Sequence, residues 1–404
     1  MRCCFAGEFL TLESMSLYLV LFSYVLAADV AGGIVTESVR LAFLANGKSI
    51  HTERWLRYFV GKGYDVHLIT FTAKPLKGVK IHELRYFKKL AYPLRVWQIR
   101  KTVKEIDPDI LHAHYVSHYG VYGALTGFHP FIVSVWGSDV LRDPKESRIR
   151  RYGVAYALKR ADCITTTAKF MKGYLVKTFG LPQSKIVRVP WGIDLKIFHR
   201  GYKDGVRALK RTLGIKADVP VVLSNRFMDP KYEIESIIDA IPYVLKSYSD
   251  AIFTFIRGSG SSEFENKMRL KAEKLGVANN TRFISRIITP KEMAVYLNMA
   301  DVFLSIPKTD QFGSSVIEGM ACGPIPIVSD IKVYYQYLKD GVNAFFVNPE
   351  DPREIAEKII YSIEHPEIKN SFYMINRKIV EEKENWNKNA KKMEELYKYL
   401  SDRA

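Results

Sequence analysis

Cysteine is scarce in this chain: four in 404 residues, at Cys3, Cys4, Cys163 and Cys322. They make no C-x-x-C pair and no pairing framework. That argues against a disulfide-stapled domain and against structural zinc, and it fits a reducing cytosol. Acidic residues are also short, 43 against 60 Lys and Arg, which leaves a net charge of +17. Such an excess points to anionic partners: nucleotide phosphates, an acidic membrane surface or nucleic acid. No recognisable nucleic-acid module accompanies the charge, so a basic nucleic-acid-binding protein is the weakest reading. The dinucleotide fingerprint G-x-G-x-x-G is absent from the first strand–turn–helix unit. The apolar stretch at residues 15–28 is short for a membrane span and runs into Asp29. Its flank is poor in positive charge, with Glu8 and Glu13 in place of a basic run. An over-called translation start, a membrane anchor and a cleaved signal all stay open for residues 1–38.

What is present is ample apolar material, 48% hydrophobic against 25% charged residues, enough for two ordinary domains with real cores. The chain is organised around residues 310–330, DQFGSSVIEGMACGPIPIVSD. A short apolar run (DVFLSI, 301–306) reads as a buried parallel strand. A turn at Phe312-Gly313 then leads into a helix over 314–322, stopped by Gly323-Pro324, and into a strand over 325–329. Free N–H groups at such a helix start favour an anion, so Gly313, Ser314 and Ser315 are candidate phosphate contacts. Asp310 and Glu318 flank that position. Carboxylates accept from sugar and ribose hydroxyls, so phosphates and hydroxyls together suggest a nucleotide sugar. The plainer reading of Glu318 is a capping box with Ser315, since S-x-x-E is that signature.

The first half opens with a strand over 39–45, a turn holding Gly47 and Lys48, and a helix carrying His51. Asp107-Pro108-Asp109 marks a strand entry rather than a metal site. His112 and His114 then fall on one side of that strand. No Cys or carboxylate completes a zinc site with them, and a place lining the crevice at the strand's carboxyl end suits them better. Residues 131–135 form the next strand and feed Trp136-Gly137-Ser138-Asp139. Residues 85–105 interleave seven basic side chains with Tyr, Phe, Leu and Trp, a pattern that suits an anionic bilayer surface or an ordinary basic helix face.

Residues 310–318 resemble the E-x7-E motif of the retaining family 4 glycosyltransferases, with Asp310 in place of the first Glu. Three more elements of that family follow the same order. The segment NGKSIHTERWLRYFVGKGYDVHLIT resembles its amino-terminal glycine turn, and Pro190-Trp191-Gly192-Ile193-Asp194 its inter-domain hinge. Arg226 and Lys231 resemble its G-R-L-x-x-x-K pair, whose cations hold the donor diphosphate. Gly258 and Gly260 resemble its nucleotide turn, and Arg286 falls in the loop that meets the base. Family members carry a histidine where this chain has Trp136, so Asp139, His114 or the substrate must give any acid–base help.

The resemblance implies an α/β, GT-B fold: two Rossmann-like doubly wound domains facing each other across a central cleft. The expected division is 1–38 as an extension of uncertain status, 39–192 as the acceptor domain and 193–376 as the donor domain. Residues 377–404 are expected as a last helix packing back on the first domain, with Trp386 in the family's position. The implied activity is retaining hexosyl transfer from a nucleoside-diphosphate sugar to a hydroxyl acceptor, lipid-linked or on a growing glycan, in glycan biosynthesis. It needs no metal and no cofactor, because Arg226, Lys231 and the helix dipole supply the positive charge. The competing reading is a sugar-nucleotide-binding relative with weakened catalysis, suggested by Asp310 and Trp136. The sugar nucleotide, an unidentified hydroxyl acceptor and an anionic membrane surface are the expected partners, and nucleic acid is not. The expected place is the cytoplasm, with peripheral attachment to the cytoplasmic face of a membrane. Arg226, Lys231, Asp310 and Asp139 are the catalytic candidates. Gly47, Gly258, Gly260, Arg286, Gly313, Ser314, Ser315 and Glu318 are the donor candidates, and Lys48, His51, His114 and Trp136 lie on the acceptor side.

Overall fold

The computed structural model describes residues 39–85, 92–258, 260–310 and 312–402. The extension 1–38 and residues 86–91 of the basic, aromatic stretch lie outside these described residues. The chain divides into two compact units. One ends at Val189 and takes in the chain again from Ala390; the other is Pro190–Asn389. The sequence placed the boundary at 192/193 and the return at 377.

The first unit holds seven strands: β1 (Arg40–Leu44), β2 (Asp65–Thr70), β3 (Val79–Glu83), β4 (Ile110–His114), β5 (Phe131–Val135), β6 (Cys163–Thr166) and β7 (Ile186–Arg188). Their spatial order is β3-β2-β1-β4-β5-β6-β7, with every pair parallel. The second holds β8 (Val221–Ser224), β9 (Ile252–Ile256), β10 (Thr281–Ile284), β11 (Val302–Ser305), β12 (Ile325–Ser329) and β13 (Phe345–Val347). Their order is β10-β9-β8-β11-β12-β13, again all parallel. Central strands such as β4, β5, β9 and β12 are buried at every position, so they are mostly apolar without a polar alternation, broken only by His112 and His114 in β4 and by single Ser or Thr residues in the others. Each sheet anchors its own core, from Ala42 to Ile186 in the first unit and from Val222 to Phe372 in the second.

The order reverses between β1 and β4 in one sheet and between β8 and β11 in the other. Connections leave these neighbours in opposite directions, so a crevice opens beyond their carboxyl ends, where ligands of such sheets bind. Most loops named in the sequence for their chemistry start near one of these two points; the Arg286 loop, after the edge strand β10, does not.

The tail differs from the single expected helix. Two helices, Ile368–Lys383 and Trp386–Ser401, are separated at Glu384-Asn385. Ile193 N–H donates to the Glu384 carbonyl at 2.8 Å, and Trp386 N–H donates back to the Ile193 carbonyl at 3.1 Å. A Cβ on Gly192 would meet the Glu384 carbonyl oxygen at 2.4 Å, so the tail crosses where only glycine leaves room.

Candidate functional site

In the second unit, the loop after β8 carries Arg226, buried at 5% exposure. Its Nη1 lies 3.2 Å from Asp310 Oδ2 and donates to Ser315 Oγ, while the guanidinium sits 4.1 Å over the Tyr232 ring. Burial alone would lower its pKa. The Asp310 carboxylate, with help from Tyr334 and Tyr232, more than offsets that and raises it, so the cation is permanent. Lys231 stands 4.7 Å from the same Tyr232 ring with its ammonium largely exposed. The two cations are therefore no farther apart than those two ring distances combined. Gly313 is the N-cap of the helix Ser314–Cys322 and, as glycine, brings no side chain of its own to cap it. A Cβ there would come within 3.0 Å of Arg226 Nη1, so glycine lets the helix start close on the guanidinium. Phe312, just before, holds a left-handed φ of +58°. Strain of this kind persists only where packing enforces it, here edge-on contacts of its ring with Tyr334 and Tyr337. Gly258, at φ +57°, and Gly260 shape the turn after β9. A Cβ on Gly260 would strike the Met228 backbone at 2.4 Å, which holds that turn against the Arg226 loop.

In the first unit, the turn after β1 is fixed by Gly47, whose N–H donates to Thr70 Oγ1 at 3.1 Å. A Cβ at Gly47 would sit 2.6 Å from the Thr72 carbonyl oxygen. Ser49 caps the helix Ile50–Gly61, and Lys48 projects beside it, exposed. His51, on the first turn, meets the Trp136 ring edge-on at 5.7 Å. His114, at the end of β4, lies 5.5 Å from the same ring. Its Nδ1 faces Thr52 Oγ1 at 3.5 Å, and its buried Nε2 has no partner among the described residues. Burial first, and the Arg54 guanidinium second, pull His51 down to about 4; burial first, and the neighbouring His51 ring second, pull His114 to about 3. Both imidazoles are neutral at pH 7. A five-residue π-helix, Val116–Gly120, follows β4, a form that often marks functional sites.

Residues 206–393 match the model of the group 1 glycosyl transferases, and residues 40–168 match that of the glycosyl transferase 4-like domain. The 40–168 match lies in the first unit, the 206–393 match lies in the second but for its last four residues, and together they take in most of the chain. The chain belongs to the family 4, group 1 glycosyltransferases. Its fold is GT-B. An uncharacterised glycosyltransferase of Methanocaldococcus jannaschii is 26% identical over 370 residues, 88% of this chain and 95% of that protein. The alpha-monoglucosyldiacylglycerol synthase of Acholeplasma laidlawii is 27% identical over 182 residues, 45% of this chain and 44% of its own. Among solved structures, Anabaena HepE in complex with UDP and glucose superposes with a TM-score of 0.75 at 17% identity, covering 90% of this chain and all of that one.

The geometry sorts the glycosyltransferase's candidate residues. Arg226, Asp310, Gly313 and Ser315 form one cluster; Lys231 joins it through Tyr232, and Gly258 and Gly260 back it through the Phe227–Met228 segment. Ser314 opens the helix and Glu318 lies half-buried on it. The capping-box reading of Glu318 does not hold, because Gly313 is the N-cap and Ser315 is spent on Arg226. Arg286 stands apart: it pairs with Glu292 at 2.6 Å, where Glu292 completes the capping box of the helix Pro290–Met299. Asp139 is a further correction. It is wholly buried, and its carboxylate accepts from the backbone N–H groups of Val116, Trp136 and Gly137. Burial raises its pKa to about 6, with those N–H groups opposing. It ties the π-helix to the Trp136 turn and has no access to substrate. The sequence missed Tyr232 and Tyr334, since nothing in their spacing relates them to Arg226 or Asp310. It missed Glu265 as well, a buried carboxylate that holds Arg269 at 2.7 Å and Ser285 beneath the Gly258 turn. Among the described residues, no group of three or more His, Cys, Asp or Glu is arranged to hold a metal ion, and no helix is long and apolar enough to cross a membrane.

Proposed function

We propose that this glycosyltransferase moves a hexose from a nucleoside-diphosphate sugar to a hydroxyl acceptor, with retention of configuration and without a metal. The observation that carries the reading is the buried Arg226 at the glycine-started helix Ser314–Cys322, with Lys231 over the same Tyr232 ring. As the glycosidic bond lengthens, the sugar becomes oxocarbenium-like and negative charge grows on the departing diphosphate. A fixed guanidinium and a helix N-terminus stabilise that charge without reorganising, which is where electrostatic catalysis gains most, and the exposed Lys231 ammonium adds a second cation. The departing phosphate oxygen takes the acceptor proton on the same face, so no protein base is needed. That accords with His51 and His114, which burial makes poor bases, and with an Asp139 spent on backbone. Glu318 is the carboxylate for the ribose hydroxyls. HepE was solved with UDP and glucose, which favours a UDP-sugar as the first donor to test.

On the acceptor side the reading is a lipid-linked or glycan hydroxyl, met at the cytoplasmic face of a membrane. The helix Tyr92–Ile106 supports it: Leu94 and Trp97 are exposed beside Arg100, Lys101 and Lys104. The diacylglycerol glycolipid synthase among the relatives is consistent with such an acceptor. Purified full-length protein incubated with a panel of nucleoside-diphosphate sugars should release free nucleoside diphosphate from one of them. Proton NMR of the product should show the donor's anomeric configuration. Inversion, or no release from any donor, overturns the proposal.

A further inference from the structure

Tyr334 is wholly buried in the short turn after β12, 24 residues beyond Asp310, and nothing in the motif points to it. Its hydroxyl donates to Asp310 Oδ2 at 2.8 Å and lies 3.2 Å from Ser305 Oγ. A phenol has one proton, so with that proton on Asp310 the oxygen accepts from Ser305. The same Oδ2 faces Arg226 Nη1, whose other partner is Ser315 on the helix start. A continuous chain thus runs Ser305, Tyr334, Asp310, Arg226, Ser315. The Tyr334 ring also meets the edge of Phe312, the residue held at positive φ just before the helix. Burial and the Asp310 charge both raise the Tyr334 pKa, so the phenol keeps its proton.

We propose that Tyr334 is a positioning residue of the transfer reaction: through Asp310 it fixes the Arg226 guanidinium against the helix start, and its hydroxyl occupies the room that a Glu at position 310 would need. The inference rests on the reading of Arg226 as the cation for the donor diphosphate. Asp310 is then committed mainly to Arg226, which explains why the shorter acid serves here.

Tyr334→Phe keeps the ring on Phe312 and removes only the hydroxyl. In the full chain it should weaken inorganic pyrophosphate binding, followed by calorimetry, by about tenfold, the order lost with a hydrogen bond to a charged group. It should lower kcat more than it raises donor KM. Asp310→Glu should be impaired alone and partly restored by adding Tyr334→Phe, a rescue that a merely structural tyrosine would not give. Tyr334→Phe indistinguishable from the parent in pyrophosphate affinity and kcat overturns the inference. So does loss of thermal stability without the rescue. Parent protein that fails to bind pyrophosphate overturns both this and the reading of Arg226. Pyrophosphate binding that responds to Tyr334→Phe, with no sugar nucleotide turned over, keeps the hold of Tyr334 on Arg226 and overturns its part in a transfer reaction.

Discussion

The two sheets reverse their strand order in the same way, yet the residues at the two reversal points differ in kind. Beyond β8 and β11 lies a buried ionic cluster in which Arg226, Asp310, Ser315 and Tyr334 satisfy one another. Beyond β1 and β4 lies an aromatic cluster of His51, His114 and Trp136, with the imidazoles held neutral by burial. Topology thus sets where a ligand can bind, and side chains set what it can be. A fixed positive field suits a diphosphate. A neutral aromatic wall suits a sugar ring or another uncharged acceptor, because it offers stacking and leaves no charge to neutralise.

The sharpest way to break that contrast is to remove the cations. Arg226→Ala leaves Asp310 buried without its partner, so it should cost about 3–5 kcal/mol of stability as well as activity. Thermal melts and turnover should fall together. Lys231→Ala separates the two effects, since its ammonium is exposed and anchors no core. Turnover should drop about 10²–10³-fold, the loss expected for one electrostatic contact to the transition state, with the melting temperature unchanged. Normal turnover in folded Lys231→Ala protein would take Lys231 out of the site.

The first unit should show its character in acid. His114 has a folded pKa of about 3, well below the ordinary value of 6.5. Between those values the unfolded chain binds the proton and the folded chain does not, so stability is full above pH 6.5 and is lost as pH falls through that window. At pH 5 the loss from this residue is about 2 kcal/mol, and His112, also lowered by burial, adds to it. Melting temperatures from pH 7 to pH 5 should fall, and His114→Gln should flatten the dependence. An unchanged slope in the variant would mean that His114 titrates normally.

Much of this contrast was legible in the sequence, for reasons that can be stated residue by residue. The helix over 314–322 was readable because glycines bracket it, and Gly323 indeed closes it at φ +100°. Most parallel strands were readable as short runs bounded by turns; β3, whose residues are half-buried or exposed, β10, taken for part of a loop, and the three-residue β13 were not. Contacts between distant residues were not readable. Tyr334 finds Asp310, and Glu292 takes Arg286, through folded geometry that no local pattern encodes. Asp139 was misjudged because G-S-D carries no sign of depth, and depth with three backbone donors is what removes it from chemistry.

A smaller effect is expected at Glu318, which tests whether the ionic cluster extends to the ribose. With the capping box excluded, Glu318→Gln should leave the helix intact. It removes a charge and one acceptor oxygen, so donor KM should rise several-fold while kcat changes little. Steady-state kinetics with the best donor decides this, and an unchanged KM would place the ribose elsewhere.

The smallest effect concerns the outer surface of the first unit, where charge and apolar side chains share one helix. Trp97 is 61% exposed, and the Lys101 ammonium sits 5.8 Å from its ring, so the indole and the cation present one amphipathic face. At an anionic bilayer the ring would settle among the headgroups while Arg100, Lys101 and Lys104 meet the phosphates, each basic residue contributing about 1 kcal/mol. Lys101→Gln should therefore weaken flotation with anionic vesicles by about fivefold and leave donor turnover in solution untouched. The binding should decline as salt rises, since the attraction is screened over about 10 Å at 0.1 M ionic strength. Trp97→Ala should weaken it at every salt concentration alike, because burying an indole involves no charge. Equal binding of the parent protein to neutral vesicles would remove the electrostatic part and leave the exposed apolar side chains as the only attachment.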